Sequence, residues 1–82
     1  MEHYGNLNGD SGILAYQIGS DYIIVQFSSG QYTFYKYTND SAGSAVVNTL
    51  QSLAQQGRGL NSYISTHKPA YSSKASTLAG IL

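Results

Sequence analysis

Two turn signals constrain this chain more than any other feature. Gly19-Ser20-Asp21 and Ser29-Gly30 divide residues 13–38 into three runs, 13–18, 22–28 and 31–38, each rich in β-branched and aromatic side chains. Such residues favour strands because branched and flat groups pack well on a pleated surface. A two-residue loop ending in Gly30 suits a tight hairpin, since glycine tolerates positive φ. Residues directly opposite each other in an antiparallel pair share a face, so this closure pairs Phe27 with Tyr32, Val25 with Phe34 and Ile23 with Lys36. Closing the first turn at Ser20-Asp21 pairs Ile18 with Ile23, Tyr16 with Val25 and Leu14 with Phe27. Both closures predict one core face made of Leu14, Tyr16, Ile18, Ile23, Val25, Phe27, Tyr32 and Phe34.

Beyond the strands, Asn39, Asp40 and Ser41 are good N-cap residues, and Val46, Val47, Leu50, Leu53 and Ala54 then recur at helical spacing until Gly57. Polar, uncharged residues such as Asn48, Gln51 and Gln55 occupy the other positions, so the helix is expected to lie across the sheet and close the core. A loop at Gly57-Arg58-Gly59 precedes a short second helix anchored by Leu60 and Ile64, four residues apart. The expected fold class is therefore α+β: a three-stranded antiparallel meander with one amphipathic helix packed on one face, followed by a short second helix. Gly and Asn punctuate residues 1–12, which read as a flexible N-terminal arm. Residues 13–71 form the single domain, and 72–82 a tail that is either frayed or docked through Leu78, Ile81 and Leu82.

A chain of 82 residues has room for one hydrophobic core. Eight tyrosines and a charged fraction of only 10% require that core to draw on aromatic side chains. Lysine and arginine number 4 against 4 acids, which denies the protein the basic field of most nucleic-acid binders and eases self-association. With no cysteine, disulfides, thiolate metal sites and cysteine nucleophiles are closed. Met1-Glu2-His3-Tyr4 lacks the start of a secretory signal, and no segment approaches the roughly 20 apolar residues of a membrane span. A cytoplasmic location with no membrane contact is expected.

The predicted outer sheet face carries the candidate site. Tyr22, Tyr35 and Tyr37 beside Lys36 resemble a stacking platform, on which a ring accepts a base and a phenol hydroxyl bonds to phosphate. The arm, the tail or a second copy of the sheet would account for the same tyrosines as half-buried packing. Gly57-Arg58-Gly59 with Asn61 is the second candidate: backbone amides of a Gly-rich turn can cradle an anion and Arg58 adds a bidentate fork. The alternative is a helix cap and connector with Asn61 capping the next helix. His67, Lys68, Arg58 and Lys74 make a thin basic strip. No nucleophile, base and acid arrangement can be assembled, so no catalysis, cofactor or metal is expected.

Residues 11–71 resemble the KTSC family, small bacterial domains that also occur at the C-terminus of some lysyl-tRNA synthetases. The resemblance runs through Ser11, Val25, Phe27, Gly30, then Tyr32-Thr33-Phe34-Tyr35-Lys36-Tyr37, Ala54, Gly57-Arg58, Leu60-Asn61, Ile64 and Tyr71. The family's central Tyr-x-Tyr corresponds either to Tyr35-Lys36-Tyr37 or to Tyr32-Thr33-Phe34, which the predicted register puts on opposite faces. Gln55 stands where the family usually has Ser. The resemblance implies a domain suggested to bind RNA. Taken together, the expectation is a non-catalytic binding module for RNA, single-stranded nucleic acid or a protein partner, the alternative being an assembly protein whose aromatic face pairs with another copy.

Overall fold

A computed structural model describes residues 1–7 and 12–82. In chain order these form β1 (Glu2–His3), β2 (Ile13–Ile18), β3 (Tyr22–Phe27), β4 (Phe34–Thr38), α1 (Asn39–Ala42), α2 (Ser44–Gln56), α3 (Leu60–His67), β5 (Ser73–Ala75) and α4 (Leu78–Ile81). Among the described residues the strands make one antiparallel sheet in the order β1-β2-β3-β4-β5. The class is α+β, with the three-stranded meander at its centre and a short strand added at each edge.

The first hairpin follows the predicted register over its turn-proximal half, with Ile18 opposite Ile23 and Tyr16 opposite Val25. The register then shifts between Ile13 and Ala15, and Ile13 rather than Leu14 stands opposite Phe27. An extra residue in one strand re-aims everything beyond it. Ile13 is consequently 3% exposed and Leu14 44% exposed, which corrects the expected core. Hydrogen bonds on both sides hold the bulge: Tyr4 N–H donates to Leu14 O at 2.9 Å, and Ser28 N–H to Gly12 O at 2.6 Å.

The second hairpin departs from expectation throughout. Val25 stands opposite Tyr35, Ile23 opposite Tyr37 and Ile24 opposite Lys36. Phe27 N–H donates to Thr33 O at 2.7 Å, so the connection spans residues 28–33 instead of Ser29-Gly30. A one-residue shift moves every side chain of a strand to the other face. Tyr35 and Tyr37 therefore face the helices, whereas Phe34 and Lys36 face away. The sequence Phe34-Tyr35-Lys36-Tyr37 offers an aromatic ring at both parities, so its pattern alone does not choose between the two registers.

Two apolar layers result. On the helix side, Ile13, Tyr16, Ile23, Val25 and Tyr37 pack against Leu50 and Ala54 of α2 and Leu60 of α3. Burying each of the large aliphatic side chains contributes about 1.5–3 kcal/mol. Across the sheet, Ile24 and Phe34 pack with Ile81 of α4, bordered by Tyr22, Ala75 and Leu78. The tail is thus docked: β5 pairs with β4 through Phe34 with Ala75 and Lys36 with Ser73, and Thr77 Oγ1 caps α4 by accepting from Gly80 N–H at 3.1 Å.

The expected flexible arm is also corrected over residues 1–7. Glu2 pairs with Tyr16, His3 pairs with Ala15, and the Tyr4 side chain is buried in the helix-side core. Residues 8–11 of that expectation, with Ser11 of the resemblance, lie outside the described residues.

Thr38, not Asn39, Asp40 or Ser41, caps the first helix. Ser41 N–H donates to Thr38 Oγ1 at 3.1 Å while Thr38 N–H donates to Ser41 Oγ at 3.0 Å, a reciprocal capping box. Gly43 separates α1 from α2. Gly57 ends α2 at φ +77, its N–H reaching Leu53 O and Ala54 O, as the apolar spacing predicts. From the middle of α2, Gln51 Nε2 donates to both Gly19 O and Tyr22 O at 2.9 Å and ties the helix to the first turn.

Candidate binding site

The corrected register places Tyr35 and Tyr37 in the wall of an open cleft of about 700 Å³. The cleft lies between the hairpin end of the sheet and the segment running from α3 to β5. Phe27, Tyr32, Tyr35, Tyr37 and Tyr71 supply its rings, and Asn61, Ile64, Lys68 and Pro69 its opposite side.

The rings are ordered by edge contacts. Phe27 and Tyr35 meet at 5.4 Å between centroids with planes at 90°, and Tyr35 and Tyr71 at 5.1 Å and 86°. Edge-to-face geometry brings the positive rim of one ring to the negative face of the next. Tyr37 is the most buried of the cleft tyrosines. Burial, with the Tyr35 and Tyr71 phenols beside it, pushes its hydroxyl up to about 12, so it is a neutral hydroxyl at physiological pH. At the mouth, Tyr32 and Tyr71 are 39% and 44% exposed. The Lys74 ammonium stands 4.8 Å from the Tyr32 ring centroid and 5.7 Å from that of Tyr71.

Helix α3 ends at Lys68, whose φ of +46 is left-handed backbone, and Lys68 N–H closes the helix on Ile64 O at 2.8 Å. Glycine or asparagine is the usual occupant of such a position. Here a lysine takes it and lines the cleft. Among the described lining residues Lys68 is the one formally charged at neutral pH, and none is acidic.

Of the sequence-predicted site, Tyr35, Tyr37 and Asn61 come together. Tyr22 and Lys36 do not: they lie on the opposite face, with the Lys36 ammonium 4.8 Å from the Tyr22 ring centroid and the Tyr22 hydroxyl accepting from Gln17 Nε2 at 3.2 Å. Arg58 is exposed on the α2–α3 connection, outside the cleft lining. The Gly57-Arg58-Gly59 connection is packed against the N-terminal segment. Leu60 N–H donates to the Tyr4 hydroxyl at 3.3 Å, which takes one donor from that turn, and Gly57 O accepts from Leu7 N–H at 2.7 Å. Gly59, not Asn61, is the N-cap of α3.

Phe27 packs against the core as expected while also lining the cleft, whereas Tyr32, expected in the core, is 39% exposed, and no site role is expected for Tyr71. The signal that bears on the missing wall was the basic strip: Lys68 and Lys74 flank Pro69 and Tyr71 in one short segment. His67 of that strip stacks on Tyr63 at 4.0 Å with its Nδ1 3.2 Å from Tyr63 O, outside the cleft lining. Among the described residues there is no group of three or more His, Asp or Glu able to hold a metal, and no helix long and apolar enough to cross a membrane.

Fold and site together define an α+β domain with an aromatic cleft at one end of its sheet. No family model, no curated protein and no solved structure matches the chain.

Proposed function

We propose that this protein is a non-catalytic binding module whose tyrosine cleft takes single-stranded nucleic acid, RNA included, in the cytoplasm and without a cofactor. The observation that carries the reading is the composition of the cleft: five aromatic rings beside Lys68, with Lys74 at the mouth and no acidic side chain among the described lining residues. Rings stack on any base, and lysines attract the phosphates between them. The resemblance to the KTSC family belongs to the same reading, since both tyrosines of Tyr35-Lys36-Tyr37 line the cleft.

Fluorescence anisotropy with a labelled, unstructured oligonucleotide tests it. Binding is expected to weaken steadily as salt rises, because few phosphates are neutralised but each releases counterions. No detectable binding at low salt sinks the proposal. A second reading has its own support in the exposed rings of Tyr32 and Tyr71 and a net charge of zero: the cleft mouth pairs with another copy of the chain. Sedimentation separates the two, since a wild-type protein that stays monomeric at high concentration excludes assembly through this face.

A further inference from the structure

We propose that Tyr32, Tyr71 and Lys74 form a clamp for a single nucleotide at the cleft mouth, Lys74 meeting its phosphate and the two rings its base; the clamp rests on the nucleic-acid reading and gives that site its recognition unit. Tyr32 comes from the hairpin connection and Tyr71 from the segment before β5, yet one ammonium stands against both rings. An ammonium already held over aromatic faces leaves its outward side for an anion, and Tyr32 and Tyr71, 39% and 44% exposed, keep part of their side chains open to a base.

The clamp is assembled before any ligand arrives. Ser72 N–H and Ser72 Oγ both donate to Lys36 O, at 2.7 and 3.2 Å, which pins the backbone next to Tyr71. Lys74 stands opposite Tyr35 in the β4–β5 ladder, and Tyr35 meets Tyr71 edge to face. Ligand binding therefore orders little new chain, and preorganised sites keep more of their contact energy as affinity. Lys68 adds a second cation to the wall from a left-handed position that glycine would fill with less strain. The volume of about 700 Å³ lies within the range typical of small-molecule pockets.

The test is a titration of the full chain, followed by two-dimensional NMR, with adenosine 5′-monophosphate, adenosine, inorganic phosphate and phenyl phosphate. The nucleotide is expected to shift the amides of Tyr32, Tyr71 and Lys74 and to bind at least 10-fold more tightly than adenosine or phosphate alone. Lys74→Gln should remove that advantage and Lys74→Arg restore part of it, while Tyr71→Ala weakens nucleotide and nucleoside alike. Unchanged amide dispersion in each variant establishes that the fold persists. Phenyl phosphate binding as tightly as the nucleotide overturns the clamp in favour of a phosphorylated aromatic side chain on a protein. An oligonucleotide that binds wild type and Lys74→Gln equally overturns the clamp alone. Nucleotide binding without oligonucleotide binding supports the clamp and overturns the strand reading, and absence of both overturns both.

Discussion

The Tyr4 hydroxyl accepts a hydrogen bond from the backbone N–H of Leu60 at 3.3 Å, joining the N-terminal segment to the first residue of α3. Tyr4 is among the largest fully buried side chains, so this bond lies inside the core. Tyr4→Phe keeps the ring but strands a buried amide, at a cost of about 1–2 kcal/mol. Tyr4→Ala also opens a cavity and should cost about 3–5 kcal/mol, by analogy with large aromatic truncations. Urea unfolding checks both, through a lower midpoint at unchanged slope. Equal midpoints for wild type and Tyr4→Phe would show that the bond contributes nothing.

Ile81 is the tail's buried anchor on Ile24 and Phe34. Ile81→Ala is expected to cost about 2 kcal/mol, the low end for such truncations because a terminal helix can shift to fill the gap. Since Tyr71 and Lys74 sit on the same segment, the loss should reach the cleft. Hydrogen exchange is the readout: amides of β5 should lose protection before those of Ile23 and Val25 in the central strand. Uniform loss across the sheet would contradict this.

Lys68 holds left-handed backbone that costs a non-glycine residue about 1–2 kcal/mol. Lys68→Gly should raise stability by up to about 1 kcal/mol, part of the relief being offset by the greater freedom of glycine in the unfolded chain. The same change removes a cleft cation, so oligonucleotide affinity should fall. Thermal unfolding and anisotropy on one sample measure the opposition, and a less stable variant contradicts the backbone account.

The Tyr37 hydroxyl, raised by burial and by its tyrosine neighbours, gives stability a dependence on alkaline pH. An unfolded tyrosine ionises near pH 10, whereas the folded one resists to about 12. The folded state therefore keeps its full stability from this group below pH 10 and loses it as pH rises to 12, by about 3 kcal/mol at most. Tyr37→Phe should flatten that part of the curve. Denaturant midpoints across pH 9–12 provide the comparison.

Much of the local structure was legible because its causes are local. The stop of α2 at Gly57 follows from backbone chemistry, and the buried Val47, Leu50 and Ala54 follow from helical spacing. The first hairpin's register near its turn was legible because Gly19-Ser20-Asp21 leaves little choice of closure. The bulge at Leu14 was not, since it depends on Tyr4 N–H arriving from another strand. At the site, Tyr35, Tyr37 and Asn61 were identifiable by type, but Tyr22 and Lys36 were grouped with them on a face they do not share. Lys74 is brought to Tyr35 by strand pairing and Tyr71 by ring contact, 39 and 36 positions along the chain, a relation that no local pattern encodes.

By itself the sequence determined the two central strands β2 and β3, the helices α2 and α3 and that tyrosines must fill much of the interior, because turn residues, spacing and composition act over a few neighbours; the edge strands β1 and β5 came only with tertiary pairing. Only the tertiary structure decided which face Tyr35 and Tyr37 occupy. Either parity of β4 buries a ring, and the choice falls to long-range packing: α2 and α3 receive Tyr35 and Tyr37, while α4 receives Phe34 in a second layer that exists only when the tail is docked. That parity is what turns a presumed surface platform into a cleft.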